Sequence, residues 1–122
     1  MKHSHEILIT GVHMDLTQAI RDIVHEKLEK LFRHDHNIVR LRVELIHDHA
    51  GDKHQEFVAK GIVSIQGPDI ILSVAASDLY KSVDELVDKL SRQLSRRSDM
   101  ERSRRKESAH QLDVESDILE RD

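Results

Sequence analysis

The segment DLYKSVDELVDKLSRQLSRR, residues 78–97, places Lys81, Lys89, Arg92 and Arg96 along one side of a helix. At 100° per residue with Lys89 as origin, Lys81, Arg92 and Arg96 fall at about 280°, 300° and 340°. Leu79, Val83, Leu86, Val87, Leu90 and Leu94 fall between about 60° and 160° and form the apolar face. A row of cations turned away from a core is suited to a phosphate backbone, which it neutralises without covalent chemistry. Glu85 interrupts the strip, and a solvated face laced with i,i+4 ion pairs is the plainer reading of the same residues. Charge segregation favours phosphate. From Arg92 to Lys106 seven Lys/Arg stand against Asp99 and Glu101, and from Glu107 to Asp122 six acids stand against Arg121. An earlier helix adds Lys27 and Lys30, about 20° and 80° from its apolar centre at Ile20, at the edge of its buried face. Side by side on a sheet, the two helices would frame a basic groove.

Other chemistry has weaker signals. The chain holds ten histidines, with His-Asp-His at 34–36 and again at 47–49, and His3 and His5 near the start. A His-x-His pair on a strand can bind zinc, yet neither pair has a third and fourth ligand at recognisable spacing. Solvated loop histidines are the reading adopted, and no metal site is expected. There are no cysteines, which excludes disulfides and thiolate ligands and fits a reducing cytoplasm. No Ser-His-Asp order, phosphate-binding loop or dinucleotide glycine pattern occurs. The expectation is a non-enzyme with no cofactor and no small-molecule substrate. MKHSHEILIT lacks a signal-peptide core, and the longest nearly apolar run, IILSVAA from Ile70, is too short to cross a membrane. No membrane partner is expected.

The elements that must position these residues follow from hydrophobic period. HEILIT (5–10) reads as a first strand, and GVHMD as a turn. Asp15 or Thr17 can cap a helix whose Leu16, Ile20, Ile23, Val24, Leu28 and Leu31 share one face. IVRLRVELI (38–46) alternates, with Val39, Leu41, Val43 and Leu45 on one side and Arg40, Arg42 and Glu44 on the other. EFVAKGIVSI (56–65) and IILSVAA follow as strands around the turn QGPD. Ser77 or Asp78 then caps the second helix, expected to end near Arg97. This predicts an α+β domain of order β-α-β-β-β-α, a four-stranded sheet with both helices on one face. Only three Phe/Tyr residues are present, so Ile, Leu and Val must supply the core. Residues 1–97 form the expected domain. Residues 98–122 lack a sustained apolar stripe and are expected as a flexible charged tail whose acidic end could fold back over the strip.

The pieces ILITGVHMDLTQAIRDIVHEKLEKL, IVRLRVEL and SDLYKSVDELVDKLSRQLSRR resemble, in order and over residues 7–97, the ribosome hibernation promoting factor and ribosome-associated inhibitor A family. That resemblance implies a fold like a double-stranded-RNA-binding domain with an extra strand. It implies a cytoplasmic translation inhibitor, monomeric when free, that occupies the decoding channel of the small ribosomal subunit in stress or stationary phase. Its partner would be 16S rRNA, gripped through Lys27, Lys30, Lys81, Lys89, Arg92 and Arg96. Asp78 and Tyr80 match the family's helix start and are read as a cap and a core-edge ring. The chain would be a short form, without the second domain of long members. Two departures stand beside this: residues 1–97 carry 14 basic against 15 acidic residues, and the whole chain has net charge −4. The alternatives are a double-stranded-RNA-binding module acting off the ribosome and a small enzyme or protein-interaction domain.

Overall fold

A computed structural model describes residues 6–34, 38–49 and 52–121, with backbone alone for His34 and residues 105–121. In chain order the elements are β1 (Glu6–Val12), α1 (Gln18–Glu29), a 3-10 turn (Lys30–His34), β2 (Arg40–His47), a second 3-10 turn (Lys53–Gln55), β3 (Phe57–Ser64), β4 (Ile70–Ala76) and α2 (Leu79–Arg121). One sheet holds the strands in the order β1-β2-β3-β4. β2, β3 and β4 form an antiparallel meander in which Val43 pairs with Gly61 and Gly61 with Leu72. β1 lies parallel to β2, with Ile9 opposite Val43. A parallel pair cannot close through a tight turn, so α1 is the crossover that carries the chain back. The α+β order matches the sequence expectation.

Each helix begins where a side chain satisfies a free backbone N–H. Thr17 Oγ1 accepts from the Ile20 amide at 3.2 Å and opens α1. The Asp78 carboxylate accepts from the Lys81 amide at 3.0 Å and opens α2. Thr17 and Asp78 therefore cap in preference to Asp15 and Ser77. Helical period then carries Leu79, Val83, Leu86, Leu90 and Leu94 of α2 into one buried cluster. They meet Leu41, Val43 and Leu45 of β2 and Ala59 and Val63 of β3, while α1 adds Val24 and Leu28. The helices thus cover one sheet face. On the other, Leu8, Arg42 and Ile71 stay exposed.

Three expectations change. Val39 precedes β2 and is 67% exposed, so the alternation begins to bury side chains only at Leu41. Ile23 is 40% exposed, because the buried stripe of α1 narrows to Val24 and Leu28. α2 does not end near Arg97 but continues to Arg121. Residues 98–122 contain neither Gly nor Pro. An apolar stripe is needed to bury a helix, and elongating one already anchored by packing avoids the nucleation cost. At about 1.5 Å per residue, continuous helix carries the acidic end along the axis beyond the strip instead of over it.

Gly61 sets the distance between α2 and the sheet. A Cβ there would lie 3.0 Å from Leu90 Cδ1 and 3.2 Å from Leu86 Cδ2, inside normal packing distance. Gly61→Val should therefore destabilise the domain by about 1–3 kcal/mol through overpacking, and Leu90→Ala by about 2–5 kcal/mol through the cavity left. Thermal denaturation followed by circular dichroism measures both. An unchanged midpoint for Gly61→Val would mean that the helix is free to lift from β3.

Candidate nucleic-acid interface

The phase fixed by the buried stripe of α2 turns Lys81, Lys89, Arg92 and Arg96 outward, and all four are exposed. They form a strip along the helix with the half-buried Glu85 among them. Arg92 is paired: its Nη2 lies 2.7 Å from Asp88 Oδ2, one turn earlier, with the arginine side chain 73% exposed. An i,i+4 pair this open is worth about 0.3–0.5 kcal/mol. Arg92 can therefore exchange Asp88 for a phosphate oxygen at small cost.

Lys27 and Lys30 occupy a different place. They line a cleft between α1, its following 3-10 turn and the flank of α2, together with Leu31, Asp84, Asp88 and Ser91. Lys27 Nζ donates to Asp84 Oδ1 at 2.8 Å, and its side chain is only 25% exposed. The groove expected to be basic is thus lined by two lysines and two aspartates. Asp84 and Asp88 lie at about 220° and 260° on the helical wheel that puts the strip at 280° to 360°. They stand between α1 and the strip, so Lys27 and Lys30 are separated from the four cations of α2 by carboxylates.

Two further arginines have structural work that the sequence did not reveal. Arg21 donates from Nη1 to the Ile9 carbonyl at 3.0 Å and ties α1 to the edge strand β1. Arg97 donates from Nη1 to the Pro68 carbonyl at 2.5 Å and holds the β3–β4 turn against α2. Gly67 in that turn has φ +102°, a left-handed conformation that only glycine adopts without strain. Around this turn Gln66, Pro68, Gln93, Arg96, Arg97 and Arg104 line a second open cleft. Beyond the strip's Arg96, Arg104 continues the cationic surface on the side opposite Asp84, with Glu101 the one acid lining this cleft. On the uncovered sheet face, Arg40 pairs with Glu6 at 3.0 Å and Lys60 with Glu44 at 4.0 Å. The charge there is mixed. Among the described residues no helix is long and apolar enough to cross a membrane.

The arrangement offers a cationic ridge on one side of α2. The family model described as Sigma 54 modulation protein / S30EA ribosomal protein matches residues 7–102. A ribosome hibernation promoting factor from Acinetobacter guillouiae is 29% identical over 101 residues, covering 79% of this chain and 89% of that protein. One from Pseudomonas putida is 31% identical, covering 80% and 91%, and one from Salmonella typhimurium 33%, covering 77% and 94%. Among solved structures, a ribosomal subunit interface protein from Coxiella burnetii superposes with TM-score 0.65 at 26% identity, over 76% of this chain and 97% of that one. The N-terminal domain of Protein Y from Thermus thermophilus gives 0.64 at 26% identity, over 76% and 98%.

The two aspartates beside the strip yield a direct expectation. Asp84→Asn with Asp88→Asn removes two negative charges and releases Lys27 and Arg92. A unit charge about 4 Å from a phosphate is worth about 1 kcal/mol in water. The double variant should bind a short RNA duplex several-fold more tightly at low salt, as read by fluorescence anisotropy. Unchanged affinity would place the RNA contact away from this flank.

Proposed function

The chain belongs to the Sigma 54 modulation protein / S30EA ribosomal protein family, and from that membership we propose that it is a ribosome hibernation factor acting in the cytoplasm. It binds the small subunit through 16S rRNA and occupies the decoding channel, where mRNA and tRNA would otherwise lie, during stress or stationary phase. The role is non-catalytic: a folded domain fills a site and excludes its normal occupants. The observation that carries this reading is the strip on α2. Four exposed cations, Lys81, Lys89, Arg92 and Arg96, are held outward by a buried leucine and valine seam. Phosphate contacts of this kind position a protein on RNA without reading its sequence, which is the demand made by a conserved structural RNA in a confined channel.

A net charge of −4 is compatible with this because binding responds to the local field. Apart from Glu85 within the strip and Asp88 on Arg92, acids lie on the α1 flank, on the sheet face and in residues 107–122. Confinement adds to affinity by allowing many weak contacts at once. Lys27 joins the interface when Asp84 yields it to phosphate, and the exposed Lys30 joins from the same cleft. Residues 1–97 constitute the binding domain in this reading, and the rest of α2 is a helical extension that contributes Arg104 beside the strip. Free in solution the protein is a monomer.

Replacing Lys89, Arg92 and Arg96 together with Glu should leave the circular dichroism spectrum unchanged, because none of them enters the core. It should abolish co-sedimentation with small subunits, since about three phosphate contacts become repulsive. Wild-type-like pelleting would make the strip a plain solvated face. With four to six phosphates engaged, the log–log dependence of affinity on salt should have a slope of roughly −3 to −5. A flat response would assign the contact to ribosomal protein instead.

A further inference from the structure

At the end of the sheet where β2 hands over to β3, two histidines and a glutamate converge. His47 is the last residue of β2, His49 lies two residues on, and Glu56 immediately precedes β3. One ligand atom from each of the three lies within 4.8 Å of the other two. His47 Nε2 and Glu56 Oε1 are 2.7 Å apart, and the His47 and His49 ring centroids are 3.8 Å apart. We propose that His47, His49 and Glu56 form a binding site for a divalent transition-metal ion, with Zn2+ as the metal.

The backbone brings the third ligand in. His47 stands opposite Phe57 in the antiparallel register, and the Asp48 amide donates to the Glu56 carbonyl at 2.8 Å. Those pairings place Glu56 beside His47 although nine positions separate them in the chain. The His47 ring stacks on Phe57 with centroids 4.5 Å apart and planes 5° from parallel, which holds the imidazole in the plane it needs. Glu56 and His47 are half-buried, while His49 is exposed, with its ring tilted against that of His47. The site is therefore a preformed pair with an adjustable third ligand.

The donor set selects the class of ion. Two imidazoles and one carboxylate are a known protein complement for zinc, with a fourth position left to water. Metal–ligand bonds of about 2.0–2.1 Å in a tetrahedron put ligand atoms roughly 3.3 Å apart. The 2.7 Å pair must open slightly and His49 must close, both within the reach of side-chain rotation. A hydrogen bond between His47 and Glu56 explains those two residues but gives no reason for a second imidazole against the first. A dication accounts for all three, because it neutralises the carboxylate and uses a lone pair from each ring.

Zn2+ titration of the full chain by calorimetry, with Co2+ as a spectroscopic probe, tests the site. One Zn2+ per chain should bind at micromolar concentration, and Co2+ should develop the visible d–d absorption of a tetrahedral complex. His49→Ala changes an exposed side chain, and Glu56→Gln keeps a hydrogen-bonding group beside His47. Each should weaken Zn2+ binding by at least about tenfold, the scale on which metal sites respond to loss of supporting groups, with an unchanged circular dichroism spectrum. His34→Ala with His36→Ala should bind as the parent does. No Zn2+ binding by the parent chain overturns the proposal. So does binding that survives both His49→Ala and Glu56→Gln, or that disappears with the His34 and His36 pair.

Discussion

The close approach of α2 to β3 over Gly61 governs the rest of the molecule. Leu86 and Leu90 sit on that glycine so closely that a Cβ there would have to push their methyl groups aside. Once these leucines are seated, the rotation of α2 about its axis is fixed, because turning the helix would lift Leu79, Val83 and Leu94 out of the core. The outward direction of Lys81, Lys89, Arg92 and Arg96 follows from that rotation alone. The cationic surface is thus a consequence of apolar packing on the opposite side of the same helix. Four charges at helical spacing would have no common direction if the seam behind them were loose.

The second constraint is the parallel pairing of β1 with β2. It forces the chain to cross the sheet through α1, which sets α1 beside α2 on the covered face. The consequence for charge was not the expected one. Lys27 and Lys30 arrive on the flank of α2 that carries Asp84 and Asp88, so the cleft between helices is nearly balanced. The cationic surface spreads instead toward the β3–β4 turn, where Arg97 anchors Pro68 and leaves Arg96 and Arg104 at the rim. Electrostatic balance on one flank and excess on the other give the domain a polarity. Such asymmetry orients a protein as it approaches a polyanion and limits binding to RNA that can be reached from one side only.

The sheet end at His47 shows how two neighbouring strands combine chemistry that neither holds alone. His47 and His49 are close in the chain, and their spacing was visible. Glu56 was not a recognisable partner, because its nearness depends on a loop closed by the bond from the Asp48 amide to its carbonyl. The zinc site proposed there is separate from the ridge on α2 and supported by different contacts.

Hydrophobic period was enough to read the number, type and order of the elements, since burial of one face demands a fixed spacing in helix and strand alike. It also placed Lys81, Lys89, Arg92 and Arg96 on the exposed side of α2, because a single helix converts spacing into direction without help from the fold. Cap chemistry was narrowed to two residues at each helix and decided by geometry, for Thr17 and for Asp78. Everything that depends on two elements meeting was out of reach. The Lys27–Asp84 pair joins residues 57 positions apart, and Arg21 and Arg97 bond to carbonyls whose positions only the packed sheet defines. The continuation of α2 to Arg121 escaped for a different reason: an apolar stripe reports where a helix is buried, and where it merely continues no such stripe is required. The sequence determined which faces exist and what each carries; the tertiary structure decided which charges face one another, because that depends on distances between chains of contacts the period does not encode.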